Sequence, residues 1–112
     1  MLLFKKKFLP AIRSGQKTQT IRLWPYCRMR ANQRSYIPGA GYIRILAIDR
    51  VQLEALTDAD AQPDGFASVA ELREEIDRLY AQQIRAGYQA YRIRFRLLPP
   101  EEQKKEATAG RS

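Results

Sequence analysis

GQKTQTIR, residues 15–22, marks the point at which this chain passes from one kind of secondary structure to another. Upstream, apolar residues recur every four positions through FKKKFLPAIRSG, residues 4–15, which predicts a short helix that Gly15 ends. Downstream, β-branched and aromatic residues predict a strand over residues 17–24. The quoted segment therefore carries its polar side chains out of a tight turn and into a sheet.

The polar groups of this segment are suited to binding an anion or transferring a proton. They are the ammonium group of Lys17, the hydroxyls of Thr18 and Thr20, and the guanidinium of Arg22, beside the turn residue Gly15. Side chains alternate along a strand, so Thr18, Thr20 and Arg22 are expected on one face. Lys17 sits at the turn, where the alternation is loose enough for it to join them. Edge strands commonly carry lysine and threonine, so a solvated edge strand is the alternative interpretation.

Further patterns complete the expected architecture. Residues 42–53 are dense in isoleucine, valine and leucine and predict a long central strand. In residues 91–97 apolar side chains alternate with arginines, which predicts a strand with one core face and a stripe of guanidinium groups on the other. A capping-box spacing ahead of residues 69–82 predicts an amphipathic helix. Residues 25–40 and 55–65 are turn-prone and predict loops, the second with room for one helical turn. Strands and helices without regular alternation predict an α+β fold, a small mixed β-barrel or sheet with helices packed at its ends.

Length and composition predict one folded domain in a reducing compartment. The 112 residues suffice for a single core, and 45% of them are hydrophobic. One cysteine and no histidine argue against an internal disulfide and the usual zinc ligand sets, so neither a metal nor a cofactor is expected. No apolar run has the length of a signal sequence or a membrane span, and a cytoplasmic location without membrane contact is expected. The oligomeric state is left open.

Positive charge is concentrated in the first half of the chain. Residues 1–50 carry eleven Lys or Arg against one acid, a balance of +10, and residues 51–112 carry nine against eleven, a balance of −2. A basic half favours a polyanionic partner such as RNA, because clustered cations release counterions from a phosphate backbone. A merely solvated basic surface is the alternative. The arginines expected to contact phosphates are Arg28, Arg30 and Arg34 in the loop and Arg92, Arg94 and Arg96 in the last strand.

Several segments in order resemble the ASCH domain (activating signal cointegrator homology), a PUA-like family. GQKTQTIR follows FKKKFLPAIRS, and LTDADAQPDGFASVAELREEIDRLY and YRIRFRLL come later in the chain. The resemblance covers about residues 1–98, which is the expected domain, and the polar tail over residues 99–112 is expected to be disordered. It implies a PUA-like β-barrel with flanking helices and an RNA-binding cleft lined by the Gly15 segment.

The same resemblance implies a second function, because one branch of similar small proteins consists of amidohydrolases that deacetylate N4-acetylcytidine nucleosides. Matched by position, the lysine base of that branch falls on Lys17, its threonine nucleophile on Thr20, and its acidic proton donor near Asp64. That branch has glutamate where this chain has aspartate, so Asp64 is either the acid or a turn residue ahead of Gly65. Binding of RNA or a nucleotide is the first expectation, and an amidohydrolase or a ribonuclease in the same cleft is the alternative.

Overall fold

The computed structural model describes residues 1–103, which form one antiparallel sheet with helices packed on it. Its strands are β1 (Gln19–Trp24), β2 (Arg34–Ile37), β3 (Gly41–Val51) and β4 (Gln89–Leu97). Its helices are α1 (Leu9–Ser14), α2 (Asp58–Ala61) and α3 (Val69–Arg85), with 3-10 turns at Lys6–Phe8 and Leu53–Ala55. The strand order is β1-β4-β3-β2, and the sheet curls into half a barrel. These features confirm the predicted α+β fold with flanking helices.

The long helix and three of the four strands lie where the periodicity predicts them. In β4 the apolar side chains are buried and the arginines between them are less so. The prediction of an uninterrupted loop over residues 25–40 was wrong, because β2 forms there, and its four residues are too few to show a period. The sheet also departs from regular pairing at a bulge between Ile45 and Ala47 in β3, which bends that strand.

Apolar side chains cover both faces of the sheet and form two cores. Residues paired across antiparallel strands share a face, so Thr20 opposite Ile93 and Ile21 opposite Arg92 mark the two faces. β1 is an edge strand, and the two cores therefore meet along it. The core on the Thr20 face consists of Leu2, Ile12, Ile37, Ile43, Ile45, Ile93 and Phe95. The core on the Ile21 face consists of Ile21, Leu23, Leu56, Ala61, Leu72, Ile76 and Ala90.

The turn before β1 is held by hydrogen bonds on two sides. Gly15 follows α1 with a φ of 85°, a left-handed conformation that favours glycine. Lys17 N donates to Ala11 O at 3.0 Å, and Thr18 N donates to Pro63 O at 2.8 Å. The turn is therefore tied both to α1 and to the loop that follows α2, which places the Lys17 side chain where the two cores meet.

α3 has a capped beginning and a bend in its last third. Ser68 Oγ accepts a hydrogen bond from Glu71 N at 3.3 Å, which confirms the predicted start of the helix. Tyr80 has non-helical backbone angles, with φ −125° and ψ 21°, and kinks the helix. Within the described part of the chain, no helix is long and apolar enough to cross a membrane.

The described chain continues past β4 to Gln103. The Gln103 side chain donates to Tyr42 O at 2.8 Å and to Leu98 O at 2.9 Å, and it accepts from Tyr42 N at 2.7 Å. These bonds attach the residues after β4 to β3, so packed structure extends beyond residue 98. The rest of the expected tail, residues 104–112, lies outside the described residues.

Candidate functional site

A cavity, here termed the Lys17 cavity, opens at the edge of the sheet between β1, the N-terminal segment and α3. Its volume is about 380 Å³, within the range of small-molecule sites. Lys17, Thr20 and Arg22 line it from the quoted segment, and Asp64 and Glu75 line it from later in the chain. The fold thus brings the predicted lysine, threonine, arginine and aspartate together. Apolar and aromatic wall residues include Phe4, Phe8, Phe66, Leu72, Ile76 and Tyr80.

The buried end of the cavity holds a lysine and a carboxylate in direct contact. Lys17 Nζ lies 2.6 Å from Asp64 Oδ1, and it also donates to the Asp64 backbone carbonyl. Gln19 Nε2 donates to Asp64 Oδ2 at 3.2 Å and to Asp60 O at 3.0 Å. Lys17 and Asp64 are each 3% exposed. Both charges are therefore removed from water, and each depends on the other for compensation.

Burial shifts the pKa values of this pair toward the neutral forms. Desolvation lowers the pKa of Lys17 against the attraction of Asp64, and the nearby charge of Arg22 lowers it further. Desolvation raises the pKa of Asp64, while Lys17, Gln19 and Arg22 oppose that rise. The two groups are therefore closer in proton affinity than a free lysine and a free aspartate. Such a pair in a cleft is characteristic of functional sites.

Three phenylalanine rings surround the Lys17 ammonium group. Nζ lies 5.0 Å from the ring centroid of Phe8 and 5.7 Å from those of Phe4 and Phe66. The ring faces attract a cation, most strongly where water is excluded. The four-residue spacing of Phe4 and Phe8 predicts a short helix and gives no sign that their rings lie beside Lys17. Phe66 follows Asp64 by two positions, and this closeness in the sequence could have identified it as a residue near the site.

Thr20 and Arg22 lie side by side on the cavity wall, as the alternation along β1 predicts. Arg22 Nε donates to Thr20 Oγ1 at 3.1 Å, and Nη2 donates to Leu3 O at 2.8 Å. The guanidinium also lies 4.7 Å from the ring centroid of Phe4. Within residues 1–103 no salt bridge reaches Arg22. The direct contacts of this cation are therefore with neutral groups, and the charge of Asp64 acts on it from a greater distance.

Glu75 of α3 also lines the cavity, although it is not among the residues expected there from the sequence. Its side chain is 6% exposed, with Oε1 2.9 Å from Arg78 Nη2 and Oε2 3.5 Å from Lys7 Nζ. Oε2 receives no hydrogen bond from the described residues. Glu75 lies three positions after Leu72 and four before Leu79, on the apolar stripe of the helix. An acidic residue among the apolar positions of a helix is unusual, and this feature of the sequence could have identified Glu75 as a candidate site residue.

Several predicted binding residues lie outside the cavity. Gly15 is at the exposed turn, where a side chain added to it would meet nothing within 4 Å apart from its neighbours in the chain. Thr18 lines a separate depression with Gln19 and Pro63. Thr18 and Lys17 therefore line different spaces, and a ligand that fills the Lys17 cavity alone would not contact Thr18. The loop arginines are divided, with Arg28 lining a depression next to the cavity and Arg30 exposed.

The arginines of the sheet are only partly available to a ligand. Arg92 Nη1 lies 2.6 Å from Asp60 Oδ1, and Nη2 lies 3.1 Å from Asp49 Oδ2, so two ion pairs within the domain engage it. Arg34 stacks on the ring of Tyr42 at 3.5 Å. The exposed members of the predicted stripe are Arg94 and Arg96. A phosphate-binding role for these four arginines stays a prediction.

The acidic residues near the site are matched with protein cations. Asp64 faces Lys17, and Asp60 faces Arg92. Within residues 1–103 no group of three His, Cys, Asp or Glu side chains is placed to hold a metal ion. The site itself offers hydroxyl, ammonium, carboxyl and guanidinium groups.

Several solved structures share this fold. An ASCH domain from Lactobacillus crispatus matches with a TM-score of 0.68 at 14% identity, over 80% of this chain and 69% of that one. Hypothetical protein PH0355 matches with a TM-score of 0.72 at 14% identity, over 86% and 95%. Protein PF0455 from Pyrococcus furiosus matches with a TM-score of 0.59 at 21% identity, over 86% and 94%. The chain therefore has the ASCH-domain fold, which confirms the resemblance expected from its sequence.

No protein-family model and no curated protein sequence matches the chain significantly. At identities of 14–21% the likeness to these structures establishes the fold alone. The activity of the site therefore has to be argued from its own residues, because one fold hosts many functions.

Proposed function

We propose that this ASCH-fold protein binds a nucleoside unit of RNA, or a nucleotide, in the Lys17 cavity. The observation that carries the proposal is a cavity, open on one side, with aromatic walls around largely buried hydrogen-bond donors. A nucleobase has flat apolar faces and a polar edge, so it matches such walls and donors together. Lys17, Thr20 and Arg22 supply donors to ring nitrogens and carbonyl oxygens on that edge.

The charge of the chain supports a nucleic-acid ligand independently of the cavity's shape. The formal net charge is +8, and the first fifty residues alone contribute +10. Lys17 and Arg22 belong to this basic half, and Arg28 lies next to the cavity. A positive field around a cleft concentrates anionic ligands and accelerates their capture. Affinity for RNA is therefore expected to fall as the salt concentration rises.

Isothermal titration calorimetry with the four ribonucleosides and their monophosphates tests this function. We expect saturable binding of at least one base at a single site, and weaker binding by the Arg22→Gln variant. Arg85→Gln is the matched control, because Arg85 is exposed at the end of α3 and outside the cavity. If no nucleoside or nucleotide binds to the wild-type protein, or if both variants lose affinity equally, the proposal fails.

The contact between Lys17 and Asp64 favours a second function, the hydrolysis of an acylated nucleoside. A lysine can take a proton from a hydroxyl when burial lowers its pKa, and an aspartic acid can donate one when burial raises its pKa. Thr20 lies in the same cavity and supplies the hydroxyl. This is the residue set expected from the amidohydrolase branch, with aspartate in the place of glutamate.

The reaction starts from the neutral form of the pair, in which Lys17 has passed its proton to Asp64 across their contact, and it proceeds in two steps. Thr20 Oγ1 attacks the carbonyl carbon of the acyl group while Lys17 Nζ takes the hydroxyl proton. The carbon–nitrogen bond breaks as Asp64 protonates the leaving amine, and the acyl group stays on Thr20 as an ester. Water then hydrolyses the ester, which releases the carboxylic acid and restores the hydroxyl. Lys17 Nζ then returns the proton that it took to the carboxylate of Asp64, with which it is in direct contact.

Incubation with N4-acetylcytidine, followed by chromatography for cytidine and acetate, tests the hydrolase. Thr20→Val removes the hydroxyl while keeping the shape, and it is expected to abolish turnover. Thr20→Ser keeps the hydroxyl and is expected to retain measurable turnover. Full activity in Thr20→Val, or no turnover by the wild-type protein, rejects the assignment. Fragments released from an added oligoribonucleotide would instead indicate a ribonuclease in the same cavity.

A further inference from the structure

A second depression, here termed the Trp24 depression, adjoins the Lys17 cavity. Its volume is about 250 Å³. Leu3 and Arg22 line both spaces, so they form the wall between them. Trp24 and Arg28 also line the Trp24 depression. Arg22 and Trp24 occupy alternate positions of β1 and share a face of the strand, so the two spaces follow each other along it.

Arg22, on the shared wall, is a cation that makes no direct ion pair within the described chain, although the more distant charge of Asp64 favours its charged form. Its hydrogen-bond acceptors, Thr20 Oγ1 and Leu3 O, are both neutral, and so is the ring of Phe4 beneath it. A charge withdrawn from water is costly unless an opposite charge pairs with it. An anion that lies between the two spaces would pair with Arg22 directly, and a guanidinium binds phosphate with strong, oriented hydrogen bonds.

Trp24 and Arg28 give the depression the groups that a nucleotide requires. The Trp24 ring is supported by Tyr91, with centroids 5.7 Å apart, and is therefore held in place. Arg28 brings a second guanidinium, which lies 5.5 Å from the ring of the exposed residue Tyr26. Supported aromatic rings beside cations are the usual platform for an unstacked base and its phosphate.

We propose that the Trp24 depression is a second subsite, which holds the phosphate and the adjacent nucleotide of a single strand whose base occupies the Lys17 cavity. Arg22 and Arg28 pair with the linking phosphate, and Trp24 stacks on the adjacent base. This inference rests on the proposed nucleoside binding and names its ligand class. The ligand is a phosphodiester-linked strand, and a free nucleoside fills only half of the site.

Trp24 provides a direct signal for the test, since it is the only tryptophan of the chain. Fluorescence and calorimetric titrations use each ribonucleoside, its 3′- and 5′-monophosphates, and the dinucleotides that contain the base bound most tightly. We expect one of the two monophosphates and the dinucleotides to bind about tenfold or more tightly than the nucleoside, because a charged hydrogen bond is gained. The dinucleotides should also change Trp24 emission, whereas the nucleoside should change it little.

Two matched variants separate the subsite from general charge. Arg28→Gln should remove most of the gain from the phosphate and leave nucleoside affinity unaltered. Arg85→Gln loses the same charge at an exposed position outside both spaces, and it should keep the full gain. Both residues are exposed, so the folding of either variant is expected to match that of the wild-type protein.

The outcomes distinguish this inference from the function on which it rests. If nucleosides bind but neither phosphates nor dinucleotides bind more tightly, the second subsite is refuted and nucleoside binding stands. The second subsite is also refuted if Arg28→Gln still binds phosphates and dinucleotides more tightly than the nucleoside by the wild-type factor. It is likewise refuted if Arg85→Gln loses as much of this added affinity as Arg28→Gln does. If nothing in the series binds, both proposals fail.

Discussion

Lys17 Nζ lies 2.6 Å from Asp64 Oδ1, although 47 positions separate the two residues in the sequence. Their side chains are 3% and 4% exposed. Two charges in such a place are stabilised by each other and by few other groups, so the loss of one partner leaves the other uncompensated. This relationship sets the energetics of the site and motivates the first predictions.

A double-mutant cycle on this pair is expected to show strong coupling. Lys17→Met should destabilise the fold by about 3–5 kcal/mol at pH 8, because it leaves a buried carboxylate without its cation. Adding Asp64→Asn should recover part of that loss, because the amide carries no charge. Urea unfolding measures the free energy of unfolding of the wild-type protein, of Lys17→Met, of Asp64→Asn and of the double variant. Equal and additive losses would show that the two side chains do not interact.

The stability of Lys17→Met is expected to depend on pH with a definite sign. Burial raises the pKa of Asp64 above its ordinary value of 3.8, and the loss of Lys17 removes the main opposing influence. The native state then binds more protons than the unfolded state, so the contribution of Asp64 is complete below about pH 3.8 and is lost as pH rises through the raised pKa.

Urea midpoints at pH 4, 6 and 8 measure this dependence relative to the wild-type protein. The penalty of Lys17→Met should grow from pH 4 to pH 8. In Lys17→Met combined with Asp64→Asn the extra dependence should vanish, because the titrating group is gone. If the loss of stability in Lys17→Met is the same at all three pH values, it does not come from the charge of Asp64. Lost packing of the lysine side chain would then explain it.

The pKa of Lys17 is expected to move in opposite directions in two cavity variants. Arg22→Gln should raise it, because a nearby positive charge has been removed, and Glu75→Gln should lower it, because a nearby negative charge has been removed. Nuclear magnetic resonance of the lysine Cε and Nζ nuclei measures both shifts. Glu74→Gln is the control, since Glu74 is exposed beside Glu75 on α3. A shift of the same sign in all three variants would contradict the assignment.

The ring of Phe66 is expected to contribute to ligand affinity. Phe66→Leu keeps an apolar side chain of similar length but removes the flat face near Lys17. Nucleoside binding should weaken by about 1–3 kcal/mol, the usual contribution of one aromatic ring to base stacking. Calorimetry measures the loss, and thermal unfolding checks that the fold survives. Unchanged affinity in a folded variant would remove Phe66 from the binding surface.

The domain is expected to end at or beyond Gln103 rather than at residue 98. A chain cut after residue 98 loses three hydrogen bonds made by Gln103, two of them to the backbone of Tyr42. We expect it to be less stable than a chain cut after residue 103 by about 1–3 kcal/mol. Gln103→Ala in the full chain should reproduce part of this loss. Equal stability of the two truncated chains would support the earlier boundary.

Local patterns were sufficient for much of the fold and for half of the site. In β4 apolar residues recur at every second position, and in α3 they recur at helical spacing. These repeats mark the side that faces the core and can be recognised within a few residues. The same alternation placed Thr20 and Arg22 together on β1. A four-residue strand such as β2 has no room for a repeated pattern, and its pairing with β3 supplies the stability that its own sequence does not show.

By itself, the sequence determined the turn at Gly15, the polar face of β1, the basic first half and the likeness to the ASCH domain, because each can be identified from short stretches of neighbouring residues. Only the tertiary structure decided that Asp64 meets Lys17, that Glu75 enters the cavity and that ion pairs engage Arg92. The physical reason is that these contacts join residues distant in the chain, and their burial and pKa shifts exist only once two cores close around them.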